Sequence, residues 1–209
     1  MKFENTNPLM LRVSKHLFAC LVLVATMLLM SCGEDPEPAN EEELITTMRV
    51  TLVPQGGGTT VTMEFKDLDG VGANPPVFTY SPSTGGATPA ALLAANKIYN
   101  ASIVLLNETE SPAEDITEEI EEEADEHLFC FTPAMSGGAT LNIQYADKES
   151  DFITGGGNRV VGIKSTWSTG NAGSGNVTIV LRHQPGTKTG ACPGTGETDI
   201  EVTFALVIQ

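Results

Sequence analysis

The chain has 209 residues, 27 of them acidic and 11 basic, and a formal net charge of −16 at pH 7. Removing residues 1–31 takes away three basic residues and one acidic residue, which leaves 8 basic and 26 acidic residues and a charge of −18. A chain with this much negative charge is repelled by nucleic acid phosphates and by anionic lipid headgroups. Nucleic acids and anionic lipid surfaces are therefore excluded as partners.

The N-terminus has the pattern of a secretory signal. Lys2, Arg12 and Lys15 precede a largely apolar run of fourteen residues at 17–30. A membrane-spanning helix needs about 20 apolar residues, so this run is too short to span a bilayer. A basic segment followed by a short apolar one is instead typical of a signal peptide that is removed from the mature protein.

The apolar run ends in Leu29-Met30-Ser31-Cys32, which resembles the lipobox of bacterial lipoproteins. In that family the cysteine is lipidated and the chain is cut just before it; the alternative is an ordinary signal peptide with a chance cysteine. The acidic segment that follows resembles the export signal of Bacteroidetes lipoproteins that reach the outer face of the outer membrane. Its plain alternative is a solvated tether, because charged, proline-containing segments stay extended.

These features predict that the chain has three segments, and they predict its cellular location. Residues 1–31 are the signal peptide, residues 32–44 an acidic tether anchored through lipid on Cys32, and residues 45–209 one domain. The protein is expected at the outer membrane, held by its lipid anchor and exposed at the cell surface. Cys130 and Cys192 remain in the domain, and in an oxidising compartment they either pair in a disulfide or stay free.

Alternation of apolar and polar residues with a period of two runs through the domain and predicts strands with one buried face. Its longest example begins at Ile200 and ends at Ile208. Residues 48–53 and 61–65 predict a hairpin, and further strands are predicted at 77–80, 99–106, 127–132, 141–145, 160–167 and 177–182. The predicted fold is all-β, an immunoglobulin-like antiparallel sandwich with one short acidic helix.

Two local motifs have structural interpretations. The segment 93–99 resembles the tyrosine corner of immunoglobulin-like domains, in which Tyr99 would bond back to the preceding turn; a simple strand aromatic is the alternative. Ser111, Pro112 and Glu114 predict a helix start, with Ser111 as N-cap and Glu114 completing a capping box. Residues 90–95 predict one short helical turn.

The segment from 108 to 126 holds eleven carboxylates and no lysine or arginine. Ile116, Ile120 and Ala124 give it one apolar stripe at helical spacing, which predicts packing against the sheet. Its like-charge pairs are unfavourable, so packing, a bound cation or a basic neighbour must offset them. A solvated acidic face, held by packing alone, is the simplest interpretation.

A second acidic feature suggests a metal. Asp67, Asp69 and Asn74 lie in a glycine-containing turn that resembles a degenerate calcium loop, since calcium takes six to eight oxygen ligands. Val71 stands where a third carboxylate would be expected, and no glutamate completes the loop. The alternatives are calcium bound by these three residues or a polar turn with no cofactor.

The domain has only two histidines, His127 and His183, and none of the common catalytic motifs. We interpret both as surface residues, with a haem or metal site using both as the alternative. Trp167 is interpreted as a residue of the core or its rim rather than a sugar platform. The protein is therefore predicted not to be an enzyme. A hydrolase with an unrecognised carboxylate pair is the competing hypothesis.

Several stretches resemble small Bacteroidetes lipoproteins to which no activity is attached: the lipobox, 42–48, 67–70, 105–108, 115–120, 182–183 and 197–200. Some of those relatives carry the label of a type 1 periplasmic binding fold, which implies two doubly wound α/β lobes. The alternating strands of this chain do not support that label. The functional expectation is a surface binding or adhesion module for a protein or glycan, with a calcium- or cation-binding lipoprotein as the alternative.

Overall fold

The computed structural model describes residues 43–70, 72 and 74–209. The predicted signal peptide, Cys32 and all but the last two residues of the predicted tether lie outside the described residues. From residue 42 onward the chain forms one compact unit. Within the described part, no helix is long and apolar enough to cross a membrane.

Two β-sheets contain most of the regular structure. Their strands are β1 Thr47–Pro54, β2 Val61–Lys66, β3 Val77–Ser81, β4 Ala91–Leu93, β5 Ile98–Asn107, β6 Glu114–Asp115, β7 His127–Met135, β8 Leu141–Tyr145, β9 Lys164–Thr169, β10 Gly173–His183 and β11 Glu197–Ile208. A helix, α1, spans Ile116–Glu122, and a 3-10 turn spans Glu149–Asp151. The prediction of an all-β fold with one short helix is confirmed.

The first sheet has the order β3-β2-β1-β5-β9-β8, with the short β6 also paired to β5. The second has the order β4-β11-β10-β7. Neighbouring strands are antiparallel, except that β4 runs parallel to β11. The structure is consistent with an antiparallel sandwich; the finer immunoglobulin-like classification stays a prediction.

The core lies between the sheets and consists of the inward residues of the alternating strands. Trp167 on β9 is fully buried, as predicted, and its ring meets Phe131 of the second sheet edge-to-face at 6.3 Å between centroids. Phe78 and Phe204 make a similar contact between the sheets at 6.0 Å. A fully buried phenylalanine such as Phe204 contributes about 1.5–3 kcal/mol by leaving water.

Two predicted elements differ from the structure. The strand predicted at 160–167 begins only at Lys164, because Gly162 adopts a φ of +100° that interrupts an extended chain. The helical turn predicted at 90–95 is instead β4, whose Leu93 is buried and paired with Ile208. The backbone of β4 pairs with β11 on one side, and the Leu92 amide donates to the Pro82 carbonyl on the other. A sequence window limited to this segment does not reveal these partners.

The start of α1 was also predicted wrongly. Ser111 is not an N-cap and Glu114 does not complete a capping box, because residues 114–115 are extended and pair with β5. Asp115 is the N-cap, and its Oδ1 accepts a hydrogen bond from the Thr117 amide at 3.0 Å. Glu114 instead accepts a hydrogen bond from the Asn107 side chain at 3.1 Å.

The apolar stripe of this segment is buried as predicted. Ile116 and Ile120 lie on α1 and Ala124 just beyond its end, and all three side chains are packed into the core. The acidic residues Glu118, Glu119 and Glu121–Glu123 lie on the helix or at its end with no basic residue in the last turn. Burial of the stripe supplies the packing that the sequence interpretation requires to offset the like-charge pairs of this helix.

Candidate functional site

The two histidines of the domain come together at one end of the second sheet. His127 begins β7 and His183 ends β10, and the antiparallel register places them directly opposite each other. Their rings are stacked at 4.5 Å between centroids and 7° between planes. Both are buried, with His127 fully inaccessible and His183 only 6% exposed. The prediction that they are surface residues is wrong, because both point toward the interior at the end of their strands.

Carboxylates surround this histidine pair. Glu43 Oε1 lies 3.3 Å from His127 Nε2, and Asp199 Oδ2 lies 3.9 Å from the same nitrogen. On the other side, Glu126 Oε2 lies 3.3 Å from His183 Nε2. We call the set Glu43, His127 and Asp199 the histidine–carboxylate cluster. Its members come from before β1, from β7 and from β11, so only the folded chain assembles them.

Asp199 reaches the cluster through an irregularity in β11. Leu181 pairs with Ile200 and the next residue, Arg182, pairs with Thr198, so Asp199 is the extra residue of a β-bulge. A bulge re-aims the side chain of its unpaired residue, and bulges recur beside functional sites. Here the side chain of Asp199 points toward His127 instead of following the alternation of the strand.

The electrostatics of the cluster follow from burial and mutual proximity. Burial, reinforced by Glu43, raises the pKa of Asp199 to about 6 even though His127 and His183 act in the opposite direction. Burial would lower the pKa of His127, but the Glu43 and Asp199 carboxylates more than offset this and hold it above its ordinary value. Perturbed groups of this kind mark functional sites as well as structural networks.

Three buried polar atoms in the cluster lack hydrogen bonds within the described part of the chain. They are Glu43 Oε2, His127 Nε2 and Asp199 Oδ2. Buried polar atoms are nearly always paired, so one unpaired atom on each of three neighbouring side chains requires an explanation. Imidazole nitrogens and carboxylate oxygens are ligands that zinc uses in proteins. The cluster can therefore hold either a shared proton or a metal cation.

The predicted calcium loop has a different character. Asp69 and Asn74 are exposed, and the Asn74 amide donates to Asp69 Oδ2 at 2.8 Å. Asp67 is partly buried, and its Oδ1 lacks a hydrogen bond among the described residues. The loop thus offers one unsatisfied carboxylate oxygen, while Asn74 turns an amide nitrogen rather than its oxygen toward Asp69.

Cys130 and Cys192 are joined in a disulfide, with 5.7 Å between their Cα atoms and 62 residues between them in sequence. The bond attaches the long loop before β11 to β7.

Tyr99 is buried, and its hydroxyl accepts a hydrogen bond from the Ala94 amide at 2.8 Å. This ties the start of β5 back to the preceding turn, as the tyrosine-corner interpretation predicts.

A second buried charge network stabilises the same loop. The fully buried Glu149 accepts a hydrogen bond from Arg159 Nε at 2.6 Å, and Lys188 Nζ lies 3.3 Å from the same carboxylate oxygen. Lys188 Nζ also donates to the Ala124 carbonyl at 2.6 Å. Every member has a partner of opposite charge or a hydrogen bond. We therefore interpret this network as one that stabilises the fold.

The domain also carries an open depression of about 380 Å³, and none of its lining residues belongs to the histidine–carboxylate cluster. It is lined by the turn between β1 and β2, by β4 and the residues after it, and by the last residue of the chain. Among the described residues that line it, Lys97 has the one charged side chain, beside Leu92 and Tyr99. A concavity of this volume is large enough for part of a peptide or a sugar unit.

Sequence reasoning missed the histidine–carboxylate cluster, although one signal indicated that the neighbouring His183 is buried. The side chains of Val177, Ile179 and Leu181, at every second position of β10, point into the core, and His183 continues the same period.

Comparison of the chain with protein-family models, with curated proteins and with solved structures finds no match.

Proposed function

We propose that the protein is a lipoprotein of the outer membrane, anchored by lipid on Cys32 and displayed at the cell surface, whose β-sandwich binds a protein or a glycan. The lipobox-like segment supports the lipid anchor, and the acidic residues that follow it in sequence support the location at the cell surface. The resemblance to small Bacteroidetes lipoproteins supports the same assignment. The domain would then be a binding module rather than a catalyst.

The burial of both histidines carries the non-enzymatic part of the proposal. A general base must reach the proton that it removes from a substrate, at hydrogen-bond distance or through one water. His127 and His183 are stacked on each other and enclosed, so neither imidazole faces open solvent where a substrate could bind. Turnover of a glycan that is lost on changing one Asp or Glu would overturn this part and favour the hydrolase.

The open depression is where we expect a ligand to bind. Its lining combines apolar side chains, backbone groups and one cation, as binding sites for small groups commonly do. Lys97→Ala should weaken ligand binding without changing the fold, because the lysine lies at the rim of the depression. Lys148→Ala serves as the matched control, because Lys148 directly precedes the 3-10 turn and does not line the depression. Equal affinity of both variants for a captured glycan or peptide would argue against this location.

The anchor is tested by the Cys32→Ala variant expressed in cells. The parent should partition into the detergent phase and carry acyl chains on its N-terminal cysteine by mass spectrometry, whereas the variant should keep its signal peptide or be released. Cys20→Ala is the control, because that cysteine lies inside the apolar run. A Cys32→Ala chain that remains membrane-bound with a mature N-terminus would contradict lipidation at Cys32.

Calcium binding at Asp67, Asp69 and Asn74 is the second candidate, favoured by the unsatisfied Oδ1 of Asp67. A ligand that binds only the folded state must raise its melting temperature. Melting residues 33–209 in calcium and in chelator, at matched ionic strength, tests this. A rise that disappears in Asp67→Asn would support a site in the loop, and equal melting temperatures would count against it.

A further inference from the structure

The tautomer of His127 directs a lone pair into the histidine–carboxylate cluster. Its Nδ1 lies 3.3 Å from the backbone carbonyl oxygen of Glu123, which can only accept a hydrogen bond. A proton on Nδ1 therefore satisfies this contact and leaves Nε2 as the unprotonated nitrogen of the neutral ring. Histidines that bind metals are oriented in the same way, with the second ring nitrogen donating to a carbonyl or carboxylate.

The atoms that this lone pair faces are also acceptors. Nε2 has Glu43 Oε1 at 3.3 Å and Asp199 Oδ2 at 3.9 Å, and no described residue gives it a hydrogen bond of acceptable geometry. An unprotonated nitrogen and two carboxylates repel one another in a buried place unless a positive charge lies between them. The fully buried His127 ring thus points its unpartnered atom at a position where either a proton on the ring or a bound cation must supply the positive charge.

The two separations between His127 Nε2 and the carboxylates are close to those around a small tetrahedral ion. Bonds of about 2.0–2.2 Å to zinc at tetrahedral angles place neighbouring ligand atoms about 3.3–3.6 Å apart. The Glu43 contact at 3.3 Å has this separation, and the Asp199 contact at 3.9 Å exceeds it by a few tenths of an ångström. All three groups offer ligand atoms within 4.8 Å of one another.

We propose that Glu43, His127 and Asp199 bind one divalent transition-metal cation of the zinc class, with the fourth position open to water. One imidazole and two carboxylates suit zinc better than calcium, which prefers oxygen ligands alone and more of them. The Glu43 and Asp199 side chains are 12% and 13% exposed, which leaves a narrow route for the ion.

The metal would join distant parts of the chain. Glu43 precedes β1 at the point where the predicted tether meets the domain, whereas His127 and Asp199 belong to the second sheet. A bound ion therefore fixes the exit point of the tether against the end of that sheet. Zinc should slow proteolysis and amide exchange near Leu44 and Ile45 as well as raise the melting temperature.

The test uses residues 33–209, which retain the whole compact unit, stripped of metal with EDTA and titrated with zinc chloride. We expect one zinc per chain by isothermal titration calorimetry. The melting temperature should rise by roughly 5–10 °C at a free zinc concentration about 100-fold above Kd. Cobalt(II) should give the visible absorption of a four-coordinate ion, a signal that mere surface binding to carboxylates does not produce.

Variants separate this site from the general acidity of the chain. Glu43→Gln and Asp199→Asn preserve side-chain shape and should each abolish the stoichiometric binding and the cobalt spectrum. Glu126→Gln is the matched control, because it removes a carboxylate beside the histidine pair without touching the proposed ligands. His127→Gln should behave like the ligand variants, and the two carboxylate variants keep the test valid if it fails to fold.

The alternative is that a proton on His127 supplies the positive charge. Absence of zinc binding at micromolar concentrations, or equal zinc responses in Glu43→Gln, Asp199→Asn and Glu126→Gln, would overturn the metal site. Loss of binding in the two ligand variants alone would support it. A calcium response that is abolished in Asp67→Asn and kept in Asp199→Asn would concern only the separate calcium loop.

Discussion

Glu149→Gln should be among the most destabilising conservative changes in this domain. Glu149 is fully buried and holds the equally buried ammonium of Lys188 at 3.3 Å. The substitution keeps the size of the side chain and removes its charge, so Lys188 retains the Ala124 carbonyl but loses its anion. Removing one partner of a buried ion pair costs about 3–5 kcal/mol of unfolding free energy.

The loss is measured by urea denaturation followed by circular dichroism. A loss of this size lowers the melting temperature by roughly 6–20 °C for a domain of this length. Glu64→Gln is the control, because Glu64 pairs with Arg49 at a site where the side chains are 22% and 39% exposed. Partly exposed pairs contribute about 1 kcal/mol or less. Equal losses in the two variants would refute the idea that Lys188 depends on a buried anion.

The same network predicts a pH dependence. Burial lowers the pKa of Lys188 below its ordinary value of 10.5, although Glu149 acts in the opposite direction. Between the lowered folded value and 10.5 the unfolded chain binds more protons, so stability should rise with pH in that window. Removing the Glu149 charge lowers the folded pKa further. The loss of unfolding free energy caused by Glu149→Gln should therefore become smaller as pH approaches 10.5. A loss that does not depend on pH would contradict this mechanism.

Three further changes test other parts of the fold. Replacing Cys130 and Cys192 with serine should cost about 4 kcal/mol, because the disulfide closes a loop of 62 residues, and melting with and without reductant measures this. Tyr99→Phe should cost about 1 kcal/mol in urea denaturation, because the hydrogen bond from the Ala94 amide to the tyrosine hydroxyl is lost. Asp115→Ala should cost about 1 kcal/mol and Ser111→Ala almost nothing; the reverse order would show that α1 begins earlier than described.

The strands were predictable because their signal is local. Alternation along β1, β2, β10 and β11 appears in the printed sequence, and each of these strands is buried on one face as expected. The strand β4 was not predictable in this way. It has three residues and owes its conformation to parallel pairing with β11, more than a hundred residues away.

The helix start shows a competition that sequence windows do not resolve. Ser111 and Glu114 have the spacing of a capping box, but residues 114–115 find strand partners in β5. Asp115 then becomes the first residue free to cap α1. Tertiary pairing thus overrode a local motif of the expected type.

The histidine–carboxylate cluster lay beyond sequence reasoning because it depends on register. Glu43, His127 and Asp199 are 84 and 72 positions apart in the chain, and no spacing rule relates them. Asp199 joins them only because a bulge turns its side chain out of the alternation of β11. The sequence showed that His183 continues the alternation of buried residues along β10, but it did not show which residues lie next to it.

Surface display is the central claim, and protease shaving of intact cells tests it most directly. We predict that external protease removes the domain from intact cells while a periplasmic protein in the same cells stays whole. Cleavage should fall within or near the acidic segment 32–44, where the predicted tether joins the compact unit. A domain that survives in intact cells, and is digested only after the outer membrane is permeabilised, would contradict surface display.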